Sequence, residues 1–165
     1  MSQAEREAET ERRVALSRDF FMQGYNCAQS VAMTFADLYD VPADLLCRLS
    51  ALFGDGIGRM RETCGAACGM FMLVGLQTST SDADQGVKAQ TYEVVQKLAA
   101  QFKEQTGSII CKELLGLNKK RIDGTIPEIP IIPTPEPRTA EYYKKRPCVK
   151  MVETAVRTYM AYLFE

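Results

Sequence analysis

FGDGIGRMRETCGAACGMFMLVGL, residues 53–76, decides the fold. Gly54, Gly56 and Gly58 break regular structure in its first half. From Glu62 or Thr63 the chain can enter a helix running to about Gln77. Met70, Phe71, Met72, Leu73, Val74 and Leu76 make that helix apolar nearly all round. This is the pattern of a helix enclosed by others, so it should be the central one. Gly65, Ala66, Ala67 and Gly69 leave part of its surface nearly bare, so a neighbouring helix or a ligand can approach closely. The glycines before it invite comparison with a phosphate-binding loop. No strand precedes them, however, and Gly-x-Gly-x-x-Gly does not occur. They read better as a tight connection beside the cysteine helix.

Outward from this centre the pattern is helical on both sides. Residues 4–23 form a charged helix whose second half carries Val14, Leu16, Phe20 and Phe21, with Gly24 as its stop. Asn26 caps a second helix, about 27–39. Pro42 suits the first turn of a third, about 42–52, with Leu45, Leu46, Leu49 and Leu52 apolar. After the central helix, Ser81 or Asp82 begins a long one ending at about Thr106, before Gly107. A short helix follows at about 108–116. IPEIPIIPTPEPR, residues 126–138, then holds five of the seven prolines, so 117–139 reads as an extended surface connection. Tyr142 and Tyr143 are placed to dock it onto the bundle. Pro147 opens a final helix to the C-terminus. The expected fold is all-α: a single-domain bundle of about six or seven helices over 1–165, with the proline-rich segment crossing over before the last.

Composition narrows the chemistry. The chain is 46% hydrophobic and 25% charged with a net charge of −1, the balance of a globular protein. Mixed charge excludes the basic footprint of a nucleic-acid binder. No apolar run reaches the ~20 residues that span a bilayer. The charged N-terminus MSQAEREAETERR has no signal-peptide core, so a cytoplasmic location is expected. There is no histidine, which removes the commonest general base, histidine-containing zinc sites and Cys-x-x-Cys-His haem attachment. Six cysteines in a cytosolic chain point to metal binding or thiol chemistry rather than a disulfide framework.

Cys27, Cys64, Cys111 and Cys148 each fall near an expected helix start. Free N–H groups and partial positive charge there favour a thiolate, the nucleophilic and metal-binding form. A bundle bringing the four starts together would line one pocket with sulfur. Cys68, one helical turn after Cys64, can be a fifth ligand, a resolving thiol beside a catalytic Cys64, or core filler. Cys47, in a leucine-rich helix, reads as filler. Arg59 and Arg61 read first as solvated surface arginines; flanking a thiolate site, they can instead lower a thiol pKa or balance cluster charge. Glu62 can carry a proton, ligate a metal or face the helix dipole. Met60, Met70 and Met72 read as core.

These residues resemble a family named for its cysteine signature, C_GCAxxG_C_C. The matching pieces are YNCAQSV around Cys27, the stretch around Cys64, GSIICKELLG around Cys111 and RPCVKMV around Cys148. They stand in the right order over roughly residues 15–160. One departure is visible: the central motif reads Cys-Gly-Ala-x-x-Gly (Cys64, Gly65, Ala66, Gly69), not Gly-Cys-Ala. The resemblance implies a redox-active or cluster-binding protein of the kind found in anaerobic microbes, with Cys27, Cys64, Cys111 and Cys148 as the site. Related domains are similar to the non-haem part of split-Soret cytochromes. Their electron-carrier role does not transfer, because no haem motif is present.

The leading expectation is therefore a redox protein, an oxidoreductase or electron carrier, holding an iron–sulfur cluster or other metal through Cys27, Cys64, Cys111 and Cys148. The alternatives are a cofactor-free thiol/disulfide protein, or a structural zinc or helical interaction module. The redox partner is not specified by the sequence. Helical chains with small-residue faces often pair, so a homodimer is an expectation.

Overall fold

The computed structural model describes residues 1–165 as eight α-helices with no strand. They are α1 (Gln3–Met22), α2 (Cys27–Met33), α3 (Ala43–Ser50), α4 (Gly65–Thr78), α5 (Gln85–Thr106), α6 (Cys111–Leu114), α7 (Ala140–Lys145) and α8 (Cys148–Leu163). Helix α4 is central and packs against α2, α5 and α8, while α1 lies on α8 and α2. Phe21, Phe35, Met70, Leu73, Leu98, Phe102, Val156 and Tyr159 form the enclosed core. No helix is long and apolar enough to cross a membrane.

Local chemistry sets most boundaries. Asn26 caps α2 by accepting from the Gln29 amide, and the Gln29 side chain accepts in return from the Asn26 amide. Gly24 and Gly107 follow α1 and α5 at φ 103° and 94°, the left-handed conformation that ends a helix. Several expectations change. Helix α2 stops at Met33, and Ala36–Leu38 forms a separate 3₁₀ turn. The third helix likewise gives way to 3₁₀ geometry at Ala51–Phe53. The central helix begins at Gly65 because Thr63 is drawn into an antiparallel bridge with Ile110. An eighth helix, α7, follows the proline-rich segment, capped by Thr139.

The small residues of α4 are used inside the molecule. A Cβ on Gly69 would lie 2.7 Å from the Ala28 carbonyl oxygen, and one on Gly65 2.7 Å from Cys27 Sγ. Side chains there would force α2 away. The other end of α4 is less enclosed. Leu76 is exposed and Met72 half-buried, and they line an open apolar groove with Leu45 and Leu49 of α3. Met60, expected in the core, is 45% exposed, although the adjacent Arg61 is buried.

The proline-rich segment 117–139 is non-helical and pinned at several points. Arg59 Nε donates to the Ile132 carbonyl at 2.9 Å. Arg138 donates to the carbonyls of Phe21 and Tyr25, both at 3.0 Å, and lies 4.3 Å over the Phe21 ring. Tyr143 meets Phe21 edge-on, so α7 docks on the end of α1. Changing Gly69→Ala should destabilise the fold by about 1–3 kcal/mol through overpacking. Gly75→Ala, in open space on the same helix, should stabilise it by about 0.5–1 kcal/mol. Urea unfolding of the two variants checks this contrast, and equal effects would contradict the α2–α4 packing.

Candidate functional site

Cys27, Cys64, Cys111 and Cys148 all line one cavity, although they come from four separate segments. Cys64 is the cap residue of α4, and the other three are the first residues of α2, α6 and α8. Two constraints gather them. The Gly65 contact sets Cys27 against the start of α4. The Thr63–Ile110 bridge sets Cys64 beside Cys111: the Cys64 amide donates to the Ile109 carbonyl at 2.7 Å and the Cys111 amide to the Glu62 carbonyl at 2.6 Å. Asp55, Gly65, Leu114, Leu115, Pro147 and Met151 complete the lining. The enclosed space is about 20 Å³, room for roughly one water. No three Cys, Asp or Glu side chains are arranged to hold a single metal ion.

Cys68 is buried just outside this lining, with its thiol directed to the Thr63 carbonyl at 3.9 Å, yet it feels Cys27 electrostatically. Cys47 stands apart, half-buried against Gln29. All six thiols are free. Glu62 is exposed and contributes its backbone rather than its carboxylate.

The thiols differ from the helix-start expectation. Burial pushes Cys27 and Cys111 up, Cys64 well up, Cys148 to about 12 and Cys68 to about 11. The amides of Ala66 and Ala67 do lower Cys64, and Arg61 lowers Cys111, but desolvation exceeds both. The magnitudes explain the order. A helix terminus contributes about 0.3–1 kcal/mol, whereas full burial can shift a group by ~3–5 pK units. Helices α2 and α6 are also only seven and four residues long. The unliganded thiols are therefore neutral at pH 7.

A charged network covers the cavity, and the turn that carries it is strained. Asp55, Gly56, Ile57, Gly58 and Arg59 all have positive φ, between 53° and 75°, and Arg61 has φ 62°. Left-handed backbone costs roughly 1–2 kcal/mol at each non-glycine residue, and Ile57 is β-branched. Gly58 N–H donating to the Leu52 carbonyl at 2.7 Å, and Glu62 N–H to Gly56 at 3.0 Å, hold the turn closed. It delivers Arg61, 5% exposed, with Nη1 3.9 Å from Cys111 Sγ. Asp55 pairs with Arg59 at 3.1 Å and Arg61 at 3.5 Å. Glu136 of the proline-rich segment pairs with Arg61 at 3.8 Å and with Arg146. Arg146 Nη1 is enclosed and has no acceptor. The sequence reading named Arg59 and Arg61 but missed Asp55, Glu136 and Arg146. Only the position of Arg146 two residues before Cys148 was a signal for any of them.

A family described as "putative redox-active protein (C_GCAxxG_C_C)" matches residues 25–162. The chain belongs to that C_GCAxxG_C_C family. The match runs from just before Cys27 to beyond Cys148, so all four cavity cysteines of the C_GCAxxG_C_C domain lie within it. No curated protein and no solved structure matches the chain.

The raised thiols set a pH dependence. A thiol ionises near 9.0 in the unfolded chain but only near 12 at folded Cys148. The unfolded state thus binds fewer protons between these values, and stability falls as pH rises through them. Thermal unfolding of the metal-free protein should show a constant melting temperature from pH 7 to about 8.5 and a decline above it. A Cys148→Ala variant should lose part of that decline. Equal slopes in both proteins would contradict a buried neutral Cys148.

Proposed function

We propose that this C_GCAxxG_C_C protein is an electron-transfer or oxidoreductase protein of a reducing compartment such as the cytoplasm. In this reading Cys27, Cys64, Cys111 and Cys148 ligate an iron–sulfur cluster. The observation that carries it is the convergence of four cysteines, from four separate segments, on one buried cavity. The donor chemistry fits: four thiols without histidine are the usual ligand set of such clusters. The unsatisfied Arg146 Nη1 fits as well: Nη2 pairs with Glu136, which leaves Nη1 a buried donor without an acceptor two residues before Cys148. No single-ion site is preformed among these side chains, and metal analysis separates a zinc centre from a cluster.

When bound, the cluster would supply one-electron transfer. The chain's own residues do the rest. Ligation removes four protons that burial otherwise holds on sulfur, so loading should be favoured by rising pH. Leu114, Leu115 and Met151 keep water from the sulfurs. The present gap is smaller than a cluster of several iron and sulfide ions, so loading would require the cavity lining to open.

The cofactor-free thiol/disulfide reading stands second. The proximity of Cys27 to Cys64 favours it, but a nucleophilic thiolate is disfavoured at both.

Anaerobic purification followed by iron, sulfide and zinc analysis should give iron with acid-labile sulfide and broad visible absorption. Cys27→Ser, Cys64→Ser, Cys111→Ser and Cys148→Ser should each reduce iron retention severely, while Cys47→Ser should retain it. Full retention in the four cavity variants would overturn the assignment. Metal-free wild-type protein would shift the function to dithiol chemistry.

A further inference from the structure

We propose that Arg61 and Arg146 are positioning residues that stabilise the negative charge of the loaded cysteine site and so raise its reduction potential, with Glu136 as their opposing charge. This rests on the cluster reading above. Three guanidinium groups, Arg59, Arg61 and Arg146, share two carboxylates, Asp55 and Glu136. One positive charge is thus in excess in a network that reaches Cys111 through Arg61 and ends two residues before Cys148 at Arg146. Buried arginines are normally well paired. Here the side-chain hydrogen bond of Arg61 goes to Cys111 Sγ, and its carboxylate contacts at 3.5 and 3.8 Å are long. Arg146 keeps a buried donor with no acceptor. Arg61 itself stands in left-handed backbone, at φ 62°, at the end of the strained turn.

An anionic centre ligated by Cys111 and Cys148 would engage both the Arg61 contact and the unpartnered Arg146 donor. Net charge and hydrogen bonds to sulfur are the terms that set a cluster's potential. The reduced form carries one more negative charge than the oxidised form, so nearby positive charge favours reduction. Glu136 acts in the opposite direction. It belongs to the proline-rich segment rather than to a core helix, and its side chain is 44% exposed. Removing its charge should therefore be tolerated by the fold, and solvent should screen part of its effect.

The test is a redox titration of anaerobically purified wild-type, R61Q, R61K, R146Q and E136Q holoproteins. Iron and sulfide are quantified in each. Electrons are supplied by dithionite, itself oxidised to sulfite, and absorbance reports the cluster. R61Q and R146Q should each lower the reduction equilibrium about tenfold, ~59 mV for a one-electron couple. R61K should recover part of the loss, because charge remains while the planar fork is gone. E136Q should move the potential the other way, by less. A merely structural role would not produce opposite signs. Unchanged potentials in loaded variants, or shifts all of one sign, overturn the arginine proposal and leave the cluster reading standing. If R61Q and R146Q fail to hold iron, E136Q decides, and an unshifted E136Q overturns the proposal. Wild-type protein without iron and sulfide overturns the cluster reading and this inference with it.

Discussion

Two missing side chains on α4, at Gly65 and Gly69, let α2 lie against it closely enough for backbone contact. Cys27 reaches Cys64 through that contact. The remaining connections build on it. The Thr63–Ile110 bridge ties the short helix α6 to the same end of α4, and α8 closes the remaining side with Cys148 and Met151. The cavity is thus a product of backbone approach rather than of any single helix. This explains how cysteines spread over 122 positions of sequence, from Cys27 to Cys148 inclusive, can serve one site.

Close packing also decides the electrostatics. The enclosure that collects the thiols strips them of water, and desolvation outweighs the dipoles of short helices. Neutral thiols in such a space are inert. They acquire function when something replaces the lost solvation of the thiolate. The arginines around Asp55 and Glu136 form a second layer with that capacity, one held directly by a strained turn. Strain of this kind persists only where surrounding contacts fix it, as the Leu52 and Gly56 carbonyls do here.

Much of this was legible in the sequence. The Asn26 cap, the glycine stops and Pro147 are local signals, and they placed Cys27, Cys64 and Cys148 at helix starts within a few residues. The apolar girth of residues 70–76 correctly marked α4 as central. Other features depend on distant partners and left no local trace. Thr63 looked helical, but its bridge to Ile110 draws it into extended backbone. The pairing of Glu136 with Arg61 joins residues far apart in sequence, and nothing around Glu136 marks it as more than part of a proline-rich strap. Ile57 and Arg59 in left-handed backbone could not be read from residue type, since neither favours it. The thiol shifts were misjudged because burial is a tertiary property and capping a local one.

The central claim is that the convergent cysteines bind a polynuclear iron–sulfur centre. Iron K-edge X-ray absorption on anaerobically purified protein tests it most directly, because the fine structure reports both the ligand atoms and any neighbouring metal. The account predicts an all-sulfur first shell with iron as a second scatterer. A shell of nitrogen or oxygen, or iron with sulfur ligands and no metal neighbour, would contradict it.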